Sequence, residues 1–336
     1  MSGTQNLRIG VIGLGFIGEL HARVQVELPN ATLVAVSDLD DGRLGAVANR
    51  YGVDAHSDYR QLLERDDVDA VSICLPDRLH LDAAAAAARA GKAILLEKPM
   101  AHTADAALQI KEAVESSGVR LMVGHVLRFD PRYVHVHDSI ARGDFGKIIH
   151  LRAKRNSIRS TAARLGSTSS IFYYMGVHDI DILTWCAEAR IETVYAQKVE
   201  LLGTGNEDTV YAVLNFSNGA IGLLDYSWAW PDGLPSGYYA ALEVVGTERG
   251  ALLDVFDQGL HFIDAVTVTQ PDTHLWPEIN GRIVGALRDE LLHFNEAVLS
   301  GADFHQPYTD ALNAIRVLDA LFESVETGSP VAVQYE

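Results

Sequence analysis

The chain has 336 residues, of which 48% are hydrophobic and 21% are charged, and its formal net charge is −18. This length is too great for one small core and fits two domains. A protein that binds nucleic acid presents a basic face to the phosphates, so an acidic chain without a Lys/Arg block argues against such a partner. No segment approaches the roughly 18 apolar residues that span a bilayer, and we expect no membrane partner.

The cysteine content and the N-terminus predict a protein of the reducing cytoplasm. Cys74 and Cys186 are the only cysteines, too few for a disulfide framework, and no CxxC pair indicates a zinc site. The first residues, MSGTQNLR, contain no apolar signal segment. His135 and His137 have the spacing of a metal pair but lack a third ligand nearby, so we interpret them as a solvated face and expect no metal.

The first third of the chain alternates short apolar strands with amphipathic helices. Strands are predicted over residues 7–12, 31–36, 70–75, 93–96 and 120–123. Helices are predicted over residues 17–28, 39–51, 59–63, 81–90 and 104–117. Asp58 and Thr103 are suitable helix caps, and glycines end three of the helices. Alternation of this kind predicts a doubly wound parallel sheet, a Rossmann domain over residues 1–124.

After residue 124 the pattern changes to strand-like segments with few helices between them. These strands are predicted over residues 148–155, 192–202, 209–216, 220–227 and 240–245, and helices over 177–187, 285–300 and 309–326. We therefore predict a second α/β domain over residues 125–336 with an open, mostly antiparallel sheet, and expect its last helix to pack back on the first domain. An open sheet with an exposed face also predicts a homodimer or homotetramer.

A glycine-rich turn follows the first strand and opens the first helix. Gly13, Gly15 and Gly18 form the pattern GxGxxG, with Phe16 and Ile17 before the last glycine. In a dinucleotide-binding turn the first glycine permits a tight bend, the second allows close approach of a pyrophosphate, and the third allows helix and strand to pack. The phosphates would rest on the helix N-terminus, so we assign these five residues to cofactor binding.

Asp38 ends the second strand, 20 residues after Gly18, which is the position of the acidic residue in this fingerprint. A carboxylate here accepts hydrogen bonds from ribose hydroxyls and repels a 2′-phosphate. Arg43 is five residues further along, in a predicted helix, and does not follow Asp38 directly. The sequence therefore predicts NAD as the cofactor in preference to NADP.

Further motifs follow in order along the chain. They are Pro76 and His80 in a strand–helix loop, Glu97-Lys98-Pro99 after a strand, Gly124-His125-Val126-Leu127-Arg128-Phe129, and Gly176-Val177-His178-Asp179-Ile180-Asp181. Together with the glycine turn, this series resembles the glucose–fructose oxidoreductase/inositol dehydrogenase/MocA family over nearly the whole chain.

The resemblance implies an NAD-dependent oxidoreductase that acts on sugars, cyclitols or related polyols. It implies that Lys98 and His178 face the nicotinamide and the substrate. It adds contacts on the cofactor side, which are Pro76, His80, Glu97 and Lys98. It also gives candidate contacts for the substrate, which are His125, Arg128, Tyr174 and Asp181.

The chemistry of alcohol oxidation agrees with these roles. A hydride leaves carbon and a proton leaves oxygen, so the protein must supply a base and a group that holds the oxygen. His178 is suitable as the base because an unperturbed imidazole has a pKa of about 6.5. The Lys98 ammonium can hold the oxygen, and its charge favours the neutral, basic form of the imidazole.

Tyr174 departs from the family pattern, because many members have an aspartate four residues before this histidine. Positions four apart share a helix face, so we assign Tyr174 to the catalytic and substrate-binding set. A tyrosine with a pKa near 10 donates a hydrogen bond and does not replace a carboxylate at neutral pH. Asp181 is a candidate for orienting His178. For Arg128, contact with the ligand and a bracing role both remain open.

Two alternatives to a dehydrogenase remain open within the same scaffold. One is a redox-neutral enzyme that uses tightly held NAD for elimination or glycoside cleavage. The other is a non-enzymatic regulator that senses a ligand. Lys98 and His178 argue against the regulator, since a sensor needs neither a base nor a path for a proton.

Overall fold

The computed structural model describes residues 6–165 and 169–335, and the chain divides into two compact units. The first unit contains the chain up to Val126 together with His274–Leu312. The second contains Leu127–Thr273 and the chain from Asn313 onward. Among the described residues, no helix combines the length and apolar character that a membrane crossing requires.

The first unit contains a six-stranded sheet in which every pairing is parallel. Its strands are β1 Leu7–Ile12, β2 Ala31–Ser37, β3 Asp54–His56, β4 Ala70–Ile73, β5 Ala93–Glu97 and β6 Leu121–Gly124. They lie in the order β3-β2-β1-β4-β5-β6, which confirms the doubly wound sheet predicted from the sequence. Strand β3 was not predicted, because its three residues carry no apolar run and none of them is buried.

Helices follow the strands of this sheet. They are α1 Phe16–Glu27, α2 Asp41–Tyr51, α3 Tyr59–Leu63, α4 His80–Arg89 and α5 Ala104–Ser117. Asp58 caps α3 through the N–H of Arg60, and Thr103 caps α5 through the N–H of Ala106, as predicted. Helix α2 begins two residues later than predicted because Asp40 caps it instead.

A segment from late in the chain belongs to the first unit, whereas the predicted boundary at 124/125 assigned it to the second domain. It contains helix α9, Ala286–Ser300, which packs on α1 and β1. Leu287, Leu291 and Phe294 are buried on α9, and the Asn295 amide donates to Gln25 of α1 at 2.8 Å. This buried apolar face fixes the segment on the nucleotide-binding sheet. Helix α10, Tyr308–Thr327, begins in this unit and continues in the other.

The second unit contains a seven-stranded sheet that is mostly antiparallel, as predicted. Its order is β12-β11-β7-β10-β9-β8-β17, and only the pairing of β7 with β10 is parallel. The strands are β7 Ile148–Ile158, β8 Ile191–Val199, β9 Thr209–Phe216, β10 Ile221–Trp230, β11 Tyr238–Gly246, β12 Gly250–Asp254 and β17 Val331–Ala332. The helices of this unit are α6 Pro131–Ala141, α7 Arg159–Leu165 and α8 Val177–Ala187, together with the later part of α10.

The seven-stranded sheet has one buried face and one exposed face. Along β9, Val210, Ala212 and Leu214 are buried, whereas Tyr211 and Val213 between them are exposed. This alternation places the core of the second unit on one side of the sheet only. Short hairpins complete the chain, namely β13 Phe262–Ile263 with β14 Val268–Thr269 in this unit, and β15 Glu278–Ile279 with β16 Arg282–Ile283 in the first.

Candidate active site

The glycine turn after β1 has the geometry of a phosphate cradle. Gly13 has φ +88, and a Cβ there would lie 2.6 Å from the carbonyl oxygen of Cys74. A Cβ on Gly18 would lie 1.8 Å from the carbonyl oxygen of Gly13, so helix and turn touch through glycine alone. A Cβ on Gly15 would meet nothing within 4 Å, which marks this as the open side of the turn. The three glycines therefore have the separate roles expected of them.

Helix α1 begins at this open side. Its N-terminus has no side-chain cap, so its first N–H groups are available to an anion. Phe16, the first helical residue, is 72% exposed, and Ile17 is half-buried. From the sequence, both residues were predicted to contact the cofactor.

Asp38 follows β2 and lies against the glycine turn. Its carboxylate accepts hydrogen bonds from the backbone N–H of Leu14 at 2.6 Å and of Asp40 at 2.7 Å, and from Arg43 at 3.1 Å. Burial works to raise the pKa of Asp38, but these donors outweigh it and hold the pKa below its usual value. The group is therefore a stable anion beside the turn, which suits hydrogen bonds from ribose hydroxyls.

His80 connects the loop after β4 with the turn after β5. Its ring is fully buried, with Nδ1 2.8 Å from the carbonyl oxygen of Pro99 and Nε2 2.8 Å from that of Leu75. Burial lowers the pKa of His80, and the two carbonyl oxygens oppose that shift. The ring thus fixes two loops to each other, while Pro76 between them is exposed.

Lys98 follows β5 and precedes a cis peptide bond to Pro99. The Lys98 backbone N–H donates to the Glu97 carboxylate at 3.1 Å, and that carboxylate is 3.1 Å from Nε2 of His21. Burial disfavours the charged form, but the bond to His21 and the charge of Lys98 hold the pKa of Glu97 below its usual value. The Glu97 carboxylate is therefore bound by two neighbours within the protein, His21 and the backbone N–H of Lys98.

His21 is a site residue that the sequence interpretation missed. It is fully buried on α1, and its Nδ1 is 3.0 Å from the Ser72 hydroxyl of β4. A usable signal was present, because Gly18, His21, Ala22 and Gln25 follow the helical spacing of one buried face. A polar ring on such a face needs a buried partner, and Glu97 supplies it.

Glu290 of α9 was also missed. It is completely buried, and burial together with the charge of Glu97 raises its pKa well above the usual value. The first unit therefore holds two buried carboxyl groups, Glu97 and Glu290, whose pKa values are shifted in opposite directions.

In the second unit, a helical segment presents the predicted catalytic histidine. A π-helical turn, Phe172–Gly176, leads directly into α8. His178 lies in the first turn of α8 and is half-buried. Tyr174 lies in the π turn, and its ring packs edge-on against Trp228 with centroids 6.0 Å apart. Turns of this kind within α-helices are frequent at functional sites.

Two buried ion pairs hold α8 on either side of His178. Arg155 of β7 donates to Asp179 at 2.7 and 2.8 Å, and Arg128 donates to Asp181 at 2.7 and 2.9 Å. Each arginine binds both carboxylate oxygens, the strongest geometry for such a pair. The predicted residues Arg128 and Asp181 are thus brought together, with side chains only 3% and 1% exposed.

His125 and the paired histidines of α6 complete the set of candidates. His125 follows β6, is buried, and donates its backbone N–H to Val123 at 2.8 Å. His137 stacks on Trp185 with centroids 3.8 Å apart. Within residues 6–165 and 169–335, no three His, Cys, Asp or Glu side chains are grouped to hold a metal ion.

The groups along the sheet edge fit a dinucleotide. The glycine turn and the uncapped helix suit the pyrophosphate, and Asp38 suits a ribose. Fold and site define a dinucleotide-dependent oxidoreductase. Residues 7–125 match the oxidoreductase family with an NAD-binding Rossmann fold (Gfo/Idh/MocA), and residues 133–252 match its C-terminal domain. The chain belongs to this family, and it is an NAD-dependent enzyme of the class that acts on CH–OH groups.

Relatives and solved structures resemble the chain over nearly its full length. Inositol 2-dehydrogenase 2 of Saccharopolyspora erythraea is 32% identical over 98% of this chain and 96% of its own. The scyllo-inositol 2-dehydrogenase (NAD(+)) of Bacillus subtilis is 30% identical over 97% and 96%. The crystal structure of GenD2 from gentamicin A biosynthesis, in complex with NAD, has a TM-score of 0.88 and 25% identity over 98% and 97%.

Proposed function

We propose that the protein oxidises a secondary hydroxyl of a cyclitol, sugar or sugar derivative, or reduces the corresponding ketone, with NAD preferred over NADP. The order of groups along one sheet edge carries this proposal. Asp38 follows β2, the glycine turn follows β1, Pro76 comes after β4, and Lys98 follows β5. Adjacent strands are about 4.8 Å apart, so Lys98 is roughly 10 Å beyond the turn along this edge. That order is the order of the ribose, the pyrophosphate and the reacting group along a dinucleotide.

The residues divide the chemistry of alcohol oxidation between them. NAD, when bound, would supply the acceptor for the hydride that leaves carbon. Lys98 donates a hydrogen bond to the substrate oxygen and stabilises the negative charge that develops there. His178 removes the hydroxyl proton at a ring nitrogen. In the direction of reduction, the same imidazole returns the proton.

Tyr174 positions the substrate through its phenol, which donates or accepts a hydrogen bond but stays protonated at neutral pH. We assign Arg128 and Asp181 to a positioning role, because the two side chains form one of the buried ion pairs that hold α8. His125 remains a proposed contact on the strength of its place after β6.

The substrate class rests on the relatives. Two of them, similar over nearly the whole chain, are named as dehydrogenases of inositols. Vicinal hydroxyls on a ring offer several donors and acceptors, which suits a site built from lysine, histidine and tyrosine. The replacement of the family's aspartate by Tyr174 separates this site from the usual polyol site, so we include other sugar derivatives.

We also propose that the protein is a cytoplasmic homo-oligomer. Cys74 and Cys186 are buried free thiols, which suits a reducing compartment. The exposed sheet face carries neighbouring apolar side chains, namely Tyr211, Val213, Ile221 and Leu223. A face of this kind is suited to pairing with a second copy. Val213→Lys would lower the mass measured by light scattering, whereas Leu299→Lys on α9, outside this sheet, would not.

The proposal is tested by following nicotinamide absorbance with NAD or NADP across cyclitols, aldoses, sugar acids and glycosides. Reduction of NAD by one class of compound, with little reduction of NADP, is the expected result. Products formed without net reduction, with NAD retained through purification, would replace the proposal with a redox-neutral lyase or glycosidase. Tight binding of a sugar with no product of any kind would favour the regulator.

A further inference from the structure

A segment of the first unit, residues 274–285, lies against helix α1 and is anchored to the later half of that helix. Arg23 of α1 donates to the Glu278 carboxylate at 2.8 Å and to the Gly281 carbonyl at 3.2 Å. The Ile283 backbone N–H donates to the carboxylate of Glu27, also on α1, at 2.9 Å. One end of the segment is therefore fixed to the helix that carries the glycine turn.

The other end of the segment is fixed to the start of helix α9. The N–H groups of Ala286 and Leu287 donate to the carbonyl oxygens of His274 and Leu275, each at 2.9 Å. Gly285 has φ +89, and a Cβ there would lie 2.3 Å from the His274 carbonyl oxygen. Main-chain bonds thus set the position of the next residue, Trp276.

Trp276 stands beside the open side of the glycine turn. Its ring meets that of Phe16 edge-on, with centroids 5.9 Å apart and planes inclined by 71°. Phe16 is 72% exposed, it follows Gly15 directly, and the helix N-terminus beside it has no side-chain cap. Two aromatic rings therefore flank the place where the phosphates of a dinucleotide fit, and the second ring comes from 260 residues later in the chain.

We propose that Trp276 is a cofactor-binding residue, and that with Phe16 it forms an aromatic wall over the diphosphate of NAD. The wall excludes water from one side of the phosphates. Lower polarity strengthens the attraction between the phosphates and the helix N-terminus, because charge interactions are stronger where water is absent. An aromatic edge with its partial positive charge is also a compatible neighbour for an anion. The wall therefore slows dissociation of the cofactor.

The experiment measures NADH binding to the full chain and does not depend on turnover. Trp276→Ala is expected to raise the Kd for NADH about tenfold, equivalent to about 1.4 kcal/mol, mainly through faster dissociation in stopped flow. Trp276→Phe is expected to retain most of the affinity. The binding of ADP should weaken in Trp276→Ala, and that of adenosine, which has no phosphate, should not.

A fluorescence measurement provides a second test, in which the substitution Trp276→Phe keeps an aromatic ring in the wall. The chain has four tryptophans, and Trp276 is the one in the first unit. NADH bound at the wall should quench Trp276 emission, so the quench should largely disappear in Trp276→Phe and persist in the matched control Trp230→Phe. An unchanged Kd in a folded Trp276→Ala, or a quench that survives Trp276→Phe, would overturn the proposal. If Trp276→Ala fails to fold, the Phe variants decide it.

Discussion

The two units of the molecule hold their functional side chains by different means. In the first, the glycine turn, Asp38 and Lys98 each follow a strand directly, and backbone N–H groups of Leu14 and Lys98 donate to the carboxylates of Asp38 and Glu97. In the second, His178 stands on a helix that two buried arginine–carboxylate pairs hold from 24 and 53 residues away. Positions fixed by the main chain appear in the sequence as short local motifs. Positions fixed by distant side chains do not.

The largest effect is expected at the two residues proposed to carry the chemistry, Lys98 and His178. Lys98→Met and His178→Ala should each lower turnover by about 10²–10⁴-fold, the usual contribution of a positioned proton-transfer group. Affinity for NAD should change little in either variant. Steady-state kinetics and NADH titration test this together, with Lys111→Met on the exposed side of α5 as the control. Turnover near that of the wild type in either variant would remove that residue from the mechanism.

The next largest effect separates side-chain support from main-chain support. Arg155→Met leaves the Asp179 carboxylate buried without its partner, which should cost about 3–5 kcal/mol of unfolding free energy. The double variant Arg155→Met, Asp179→Leu should recover most of that loss. Arg152→Met, on the exposed face of the same strand, should cost under about 1 kcal/mol. Equal losses for Arg155 and Arg152 in urea unfolding would contradict the role of the buried pair.

A smaller effect is expected at Asp38, where Arg43 already lies 3.1 Å away. Asp38→Asn keeps an acceptor for the turn but removes the negative charge, so Arg43 becomes available to a 2′-phosphate. The ratio of kcat/KM for NADP to that for NAD should rise about ten- to a hundredfold, the value of one or two charge-assisted hydrogen bonds. Asp41→Asn on the exposed first turn of α2 is the control. An unchanged ratio would show that the carboxylate does not select the cofactor.

The smallest effect concerns Glu290, where one buried proton changes and the packing does not. Because its pKa is raised in the folded protein, the folded state binds more protons than the unfolded state above the ordinary glutamate range near pH 4.5. The contribution of Glu290 to the free energy of unfolding is fully present below that range and is lost as the pH rises. Glu290→Gln should therefore gain stability over the wild type from pH 5 to pH 8. Parallel melting curves at all pH values would contradict the buried neutral carboxyl.

Much of the first unit could be predicted because its determinants are local. Glycines at fixed spacing, the caps Asp58 and Thr103, and apolar runs that end at Asp38 and Lys98 are each contained in a few residues. Their identity alone restricts the backbone, so the sequence was sufficient to predict the parallel sheet, and the assignment of individual cofactor contacts stays a prediction.

The remaining features depend on residues that meet only in the folded chain. Glu290 is a charged residue in a helix, a pattern that usually indicates a solvated face, and only tertiary packing buries it. The position of α9 in the first unit depends on the burial of its apolar face. From the sequence alone, that face could have packed on any nearby sheet. The pairing of Arg128 with Asp181 was not predicted, because a contact across 53 residues leaves no local signal.

The first unit is discontinuous, and this has a consequence for biosynthesis. Residues 127–273 must be translated before α9 and the segment that carries Trp276 leave the ribosome. At about 5–20 residues per second this is a wait of roughly 7–30 s. During that time the nascent nucleotide-binding sheet lacks the helix that covers α1 and β1. The cofactor side is therefore completed only after most of the second unit has been synthesised, and the second unit is itself completed last, by the chain from Asn313 onward.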